Sequence, residues 1–173
     1  MQRNQQAHPF DHHERHVVLV APDVHWNTGN IGRTCLGAGA FLHLIKPLGF
    51  SIESKEIKRA GLDYWHKVKL FVWEDFNVFK QQMKPEEKEV ALFTKSGSLP
   101  HWNLQPAKRM FLIFGSETKG LSQTILSLYA NSTYRIPIAK DIRSLNLSNF
   151  ISTSPVFTLA QCIDAFTRVL KTS

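Results

Sequence analysis

The chain has 173 residues, 43% of them hydrophobic and 20% charged, enough to close one hydrophobic core without metals or disulfides to staple it. That balance excludes a disordered polar chain, and no apolar run approaches the roughly 20 residues of a membrane-spanning helix. Twenty-one Lys and Arg against fourteen Asp and Glu leave a net charge of +7, which suits a polyanionic partner through phosphate neutralisation and suits an ordinary solvated basic surface equally well.

Residues 1–15 mix Gln, Asn, His, Arg and Asp without periodicity and read as a flexible tail ahead of a single domain over 16–173. The tail lacks the apolar core of a secretory signal, and the only cysteines, Cys35 and Cys162, cannot form a framework of bridges, so the cytoplasm is the expected compartment. The histidines in and next to the tail, His8, His12, His13 and His16, have no ordered acidic or Cys partners, and no metal site is expected. Strand-like runs then follow at Val17–Ala21, Leu42–Ile45, Lys69–Val72, Val90–Phe93, Phe111–Phe114 and Tyr134–Ile136, with helical stretches between most of them. This alternation predicts an α/β domain with a mostly parallel sheet and helices on both faces, because parallel neighbours need crossover connections of a dozen or so residues. Residues 95–108, with Gly97, Pro100 and Pro106, read as a long loop or irregular link. After Ser148, apolar residues at helical spacing predict a closing helix that Pro155 starts or kinks.

In an open α/β sheet, ligands collect beyond the carboxyl ends of the strands, and three strand ends here carry polar clusters. In Asn27-Thr-Gly-Asn-Ile-Gly-Arg33, Asn27 is placed to cap a helix whose first turns hold Gly29, Asn30 and Arg33, offering backbone N–H groups to an anion or a ribose. The same residues suit an ordinary helix start. In Phe114-Gly-Ser-Glu-Thr-Lys-Gly120, Gly115 admits close approach of a ligand to the backbone, and Glu117 is the only carboxylate. Glu117 serves equally well as a complement to the dipole of a helix from Ser122. The third cluster, Arg143-Ser-Leu-Asn-Leu-Ser-Asn149, sets Ser144, Asn146, Ser148 and Asn149 together, as a polar ligand, a turn or a cap would require. Neither a Gly-x-Gly-x-x-Gly pattern nor a phosphate loop is present, so nicotinamide chemistry and nucleotide hydrolysis gain no support.

Taken in order, these clusters resemble the three motifs of the SpoU branch of the SPOUT RNA methyltransferases. Leu44-Ile-Lys-Pro-Leu-Gly-Phe50 and Arg59-Ala-Gly-Leu-Asp-Tyr-Trp65 are similar to stretches of its TrmL (YibK) subgroup, which methylates the 2′-hydroxyl of the wobble nucleotide, position 34, in tRNA. The resemblance implies a deep trefoil knot at the carboxyl end, S-adenosylmethionine as cofactor, a homodimer with the pocket near its interface, and the tRNA anticodon loop as partner. By motif, cofactor contacts fall on Leu92, Gly115, Ile136, Ser144 and Leu145, with Leu92 and Ile136 as apolar walls for adenine. Arg33 matches the family's catalytic arginine, and Asn27, Glu117, Ser144 and Asn146 match its other active-site positions. Taking a proton from a group of pKa about 13 at neutral pH costs about 8 kcal/mol, so the role expected of Arg33 is to clamp a phosphate beside the target ribose rather than to act as a base. Lys58, Arg59, Lys119, Lys140 and Arg143 are candidates to hold the RNA backbone, and each is also ordinary surface charge in its own right.

The chain departs from the pattern at four places. Trp26 stands where the subgroup usually has Pro, Ser116 where it has Pro, Lys119 where it has Arg, and Phe157 where the family has Glu. Two other readings stay open: a non-catalytic RNA-binding relative, and a 2′-O-methyltransferase acting on another tRNA or rRNA position.

Overall fold

The computed structural model describes residues 14–52, 62–137, 147–148 and 151. Seven strands, β1 (Glu14–Val20), β2 (Phe41–Ile45), β3 (Lys69–Trp73), β4 (Val90–Phe93), β5 (Leu99–Pro100), β6 (Arg109–Phe114) and β7 (Thr133–Arg135), form one sheet in the order β3-β2-β1-β6-β4-β7-β5. Every pairing in it is parallel. Among the described residues, the α-helices α1 (His25–Gly37), α2 (Phe76–Met83) and α3 (Gln123–Leu128) pack against it.

The central strands are continuous apolar runs because both of their faces are covered. Alternation then divides the core in two. Val17, Leu19, Leu42, Leu44, Met110 and Leu112 meet Ile31 and Cys35 of α1 on one face, while Val18, Ile45, Phe111 and Ile113 meet Phe76 and Phe79 of α2 and Ile125 of α3 on the other. Helices thus cover both faces, as the alternating pattern implies. Burying a side chain such as Phe79, which is fully enclosed, contributes about 1.5–3 kcal/mol. Cys35 is a free, buried thiol whose pKa is raised by desolvation, so it packs as a small hydrophobe.

The helix ends are satisfied locally. Asp75 caps α2, its carboxylate accepting from Val78 N at 2.8 Å, and Ser122 caps α3 by accepting from Ile125 N. Arg109 donates to the carbonyls of Met83 and Lys84 at the far end of α2 while its fork grips Glu89 at 2.7 and 3.1 Å.

On the α2 face, two buried histidines form a directed chain. Trp73 Nε1 donates to His43 Nδ1 at 3.0 Å, so His43 carries its proton on Nε2 and donates to His16 Nδ1 at 2.9 Å. The remaining nitrogen of His16 faces Glu14 Oε2 at 3.5 Å. Phe41 and Phe111 stack on His16.

Two expectations change. Glu14 and Arg15 belong to β1, not to a tail: they pair with Arg109 and Met110, and the Arg15 guanidinium donates to the Ala107 and Lys108 carbonyls at 3.1 Å. The link 95–108 is also more ordered than its Gly and Pro content suggests, holding β5 and a 3₁₀ turn at His101–Asn103. Arg135 pins it by donating to the Gly97 and Ser98 carbonyls. The expected knot and closing helix fall outside the described residues, apart from Leu147, Ser148 and Ile151.

Candidate active site at the carboxyl ends of β1 and β6

β1 sits between β2 and β6. The chain leaves β1 for α1 on one face and leaves β6 for α3 on the other. The two exits diverge and open a crevice, the topological switch point at which open α/β sheets bind ligands. The first two polar clusters lie on its two sides.

Ala21 ends β1 in the left-handed region at φ 49°, a strained conformation for alanine. Its N–H donates to Ile45 O at 2.9 Å, and Pro22 O accepts from Gly49 N at 2.9 Å. The turn throws Asp23 across to the loop after β6. There, Glu117 accepts from Asp23 N through Oε2 at 2.9 Å and from Asn27 Nδ2 through Oε1 at 2.8 Å. In return, Asp23 Oδ2 accepts from the Thr118 hydroxyl at 2.5 Å and from Thr118 N at 3.3 Å. The Thr118 hydroxyl holds the Asp23 carboxyl below its ordinary pKa, so the carboxylate is charged at neutral pH.

Asn27 is therefore not a helix cap. α1 begins two residues earlier, at His25, with Val24 as a cap that offers no side-chain bond, and the buried Asn27 amide spends its donor on Glu117. Glu117 in turn meets the start of α1 rather than that of α3.

Gly115 lines the cavity and also answers a demand of the loop itself. A Cβ there would lie 2.0 Å from the Gly120 carbonyl carbon and 2.3 Å from Leu121 N, so the glycine is needed for the loop to fold back on itself. Ser116 and Gly120 close that return through a bridge and a 2.9 Å backbone bond, with Lys119 N donating to Ser116 Oγ at 3.0 Å.

The two stretches that carry the subgroup resemblance brace α1 from outside. Trp65 packs so tightly on Gly32 that a Cβ there would meet its ring at 2.5 Å, and Gly49 holds Pro22 as described above.

A cavity of about 830 Å³ occupies the crevice, within the usual size of small-molecule sites. Phe93, Phe114, Leu121, Tyr134, Ile136 and Leu147 make its apolar wall, whereas Thr94, Ser96, Ser116, Glu117, Thr118, Lys95 and Lys119 give it a polar, cationic rim. Asn27, Gly115, Glu117, Lys119 and Ile136 thus come together at one site. Leu92 does not join them: it is fully buried on the opposite face with Phe111 and Ile113, and the next residue, Phe93, lines the cavity in its place. Strand alternation allows only one of the two to face the site. Arg33 is exposed on α1 and lies outside the cavity wall. Ser144, Leu145, Asn146, Lys58, Arg59, Lys140, Arg143 and Phe157 lie outside the described residues. Sequence reasoning missed Asp23, Thr118 and the wall aromatics Phe93 and Tyr134; the even spacing of Asp23 and Asn27 about the helix start is the one signal that could have exposed the first.

Comparison with known proteins places this architecture. The model of the SpoU rRNA Methylase family matches residues 14–152. A Burkholderia cenocepacia protein named tRNA (cytidine(34)-2'-O)-methyltransferase is 40% identical over 137 residues, spanning 79% of this chain and 88% of its own. A solved structure concerned with 2-OH methylation of C/U34 on tRNA is 34% identical with a TM-score of 0.79, covering 87% of this chain and 97% of that one. An AdoMet-bound rRNA methyltransferase from Sinorhizobium meliloti shares the fold, with a TM-score of 0.74 at 24% identity, covering 88% of this chain and 59% of its own.

Proposed function

The chain belongs to the SpoU rRNA methylase family, and from that premise we infer that it transfers a methyl group from S-adenosylmethionine to the ribose 2′-hydroxyl of nucleotide 34, a cytidine or modified uridine, in tRNA. The observation that carries this reading is the cavity beyond the carboxyl ends of β4, β6 and β7, lined by the whole second motif and, from the first, by Asn27, which Glu117 holds. Its lining fits the cofactor. The aromatic and aliphatic wall suits an adenine ring, and the hydroxyls and carboxylate of the rim suit ribose hydroxyls and an amino-acid head group.

Bound there, S-adenosylmethionine supplies a methyl on a positively charged sulfur. The chain's residues supply alignment. Phe93, Phe114 and Tyr134 exclude water from the reacting region, where electrostatic interactions then act at greater strength. Glu117 has both oxygens engaged by donors, so it is a positioning residue that holds Asn27 and the loop together, not a proton acceptor. Arg33, exposed on α1, clamps an RNA phosphate and lowers the pKa of the adjacent 2′-hydroxyl by its charge, and the hydroxyl proton passes to solvent as the methyl is transferred. Lys95 and Lys119 add phosphate attraction at the rim. Ser144 and Asn146 of the third motif complete the site on this reading, with Leu145 at the cofactor and Lys58, Arg59 and Arg143 on the anticodon-loop backbone.

The working unit is a homodimer. Its support is the position of Arg33 outside its own protomer's cavity wall, since a second copy seated at the mouth is one way to bring that residue to the substrate. The compartment is the cytoplasm, where tRNA resides.

The test is incubation of the protein with tRNA and methyl-labelled S-adenosylmethionine, followed by mapping of alkali-resistant linkages. A new resistant linkage after nucleotide 34 is the expected result. Label on a base, or none transferred by folded protein that binds the donor, overturns the assignment.

A further inference from the structure

We propose that Trp26 is the platform on which the base of the target nucleotide stacks, a substrate-binding contact that rests on the reaction inferred above. Trp26 is the second residue of α1 and immediately precedes the buried Asn27. Asn27 is tied to Glu117, so the backbone carrying the indole is fixed to the cavity and not to a wandering loop. The ring lines the cavity mouth together with Lys119 and yet leaves 56% of its surface open. His25 meets it at a steep angle, with ring centroids 4.7 Å apart and an interplanar angle of 72°, a contact that steadies the ring while more than half of its surface stays open.

The depth of the cavity already has aromatic and aliphatic surface for adenine in Phe93, Phe114, Tyr134 and Ile136. An open indole at the rim is surplus to that need. A ribose presented to the interior puts its own base one glycosidic bond away, at the rim. Indole beside an ammonium group matches a base beside its phosphate, the pairing that single-stranded nucleic acid sites use. Stacking accepts any π-face, so the contact holds cytidine and uridine alike and leaves their discrimination to other groups.

The experiment uses an anticodon stem-loop with the fluorescent analogue pyrrolocytidine at the target position. Wild-type protein is expected to quench the fluorophore on binding. Trp26→Ala is expected to lose the quench and weaken stem-loop binding about 5- to 150-fold, the range that base–aromatic stacking spans by alanine substitution, while S-adenosylmethionine affinity by calorimetry is unchanged. Trp26→Phe should restore most of both. Equal quenching by wild type and Trp26→Ala overturns the proposal, as does a loss of cofactor affinity or a change in solution mass in Trp26→Ala, which would put the indole in the cofactor pocket or in a contact between copies. Wild type that neither binds nor methylates the stem-loop removes the reaction itself, and the platform with it.

Discussion

Glu117 Oε1 and Asn27 Nδ2 meet at 2.8 Å across 90 residues of sequence, joining the loop after β6 to the first turn of α1. The same carboxylate holds Asp23 N, so one side chain fastens both walls of the crevice. Removing it leaves a partly buried N–H and an amide without their acceptor, a loss of about 1–3 kcal/mol. A double-mutant cycle of Glu117→Ala and Asn27→Ala, read by urea unfolding, is expected to give a coupling energy of about 0.5–3 kcal/mol. Strict additivity would show that the bond does not fasten the site.

Arg33→Lys keeps the charge and removes the planar fork. If Arg33 grips a phosphate through two parallel bonds, kcat/KM for tRNA should fall about 10- to 100-fold, the loss of one charged hydrogen bond. Cofactor affinity and thermal stability should be unchanged, since the residue is exposed and outside the cavity wall. Full activity in the lysine variant excludes the clamp.

Gly115→Ala places a methyl group where the Gly120 and Leu121 backbone runs, and backbone cannot move aside as a side-chain tip can. Overpacking of this kind costs about 1–3 kcal/mol, equivalent to a Tm lowered by about 2–12 °C for a domain of this length. Because the displaced loop is a wall of the cavity, S-adenosylmethionine binding should weaken at least tenfold in parallel. A variant with normal melting but no binding would leave Gly115 with the ligand-approach role alone.

The His16–His43 chain makes stability depend on pH. Burial lowers the pKa of both, that of His43 to about 3, where the charge of the neighbouring His16 adds to the effect. Glu14 and Glu89 work against the shift at His16, and Arg109 works with it. Both rings are neutral in the folded state, whereas the unfolded chain takes up protons near pH 6.5. Their contribution is therefore complete above that pH and declines as pH falls toward the folded values, by up to about 1.4 kcal/mol per pH unit for each histidine. Urea midpoints measured from pH 7.5 to 5.0 should drop in the wild type and drop less in His16→Phe/His43→Leu. Equal slopes would mean that the pair does not govern this range.

What the sequence makes legible follows physical range. β4 falls at Val90–Phe93 as its apolar run indicates, and the other strands lie within a few residues of their runs, because burial on two faces writes itself into composition. β5 is only Leu99–Pro100, too short for any pattern and held by Arg135 from outside the segment. Asn27 reads locally as a cap and acts at long range instead, since its partner lies 90 residues away. Leu92 was the adjacent residue to the right one: period-two alternation sends it to the α2 face and Phe93 to the cavity, so parity along the strand could have chosen between them. The three motifs point to the chemistry; Asp23 and Thr118 are joined across 95 residues of sequence, beyond the reach of any local pattern that would pair them.

The position of β1 in the sheet also sets a schedule for biosynthesis. β1 leaves the ribosome well before its partner β6, which begins at Arg109 opposite Glu14, 95 positions later. At about 5–20 residues per second, one edge of an apolar strand stays uncovered for about 5–20 s. β1 thus emerges with one side as a temporary edge, and the binding crevice takes shape only after the loop that follows β6 has been made.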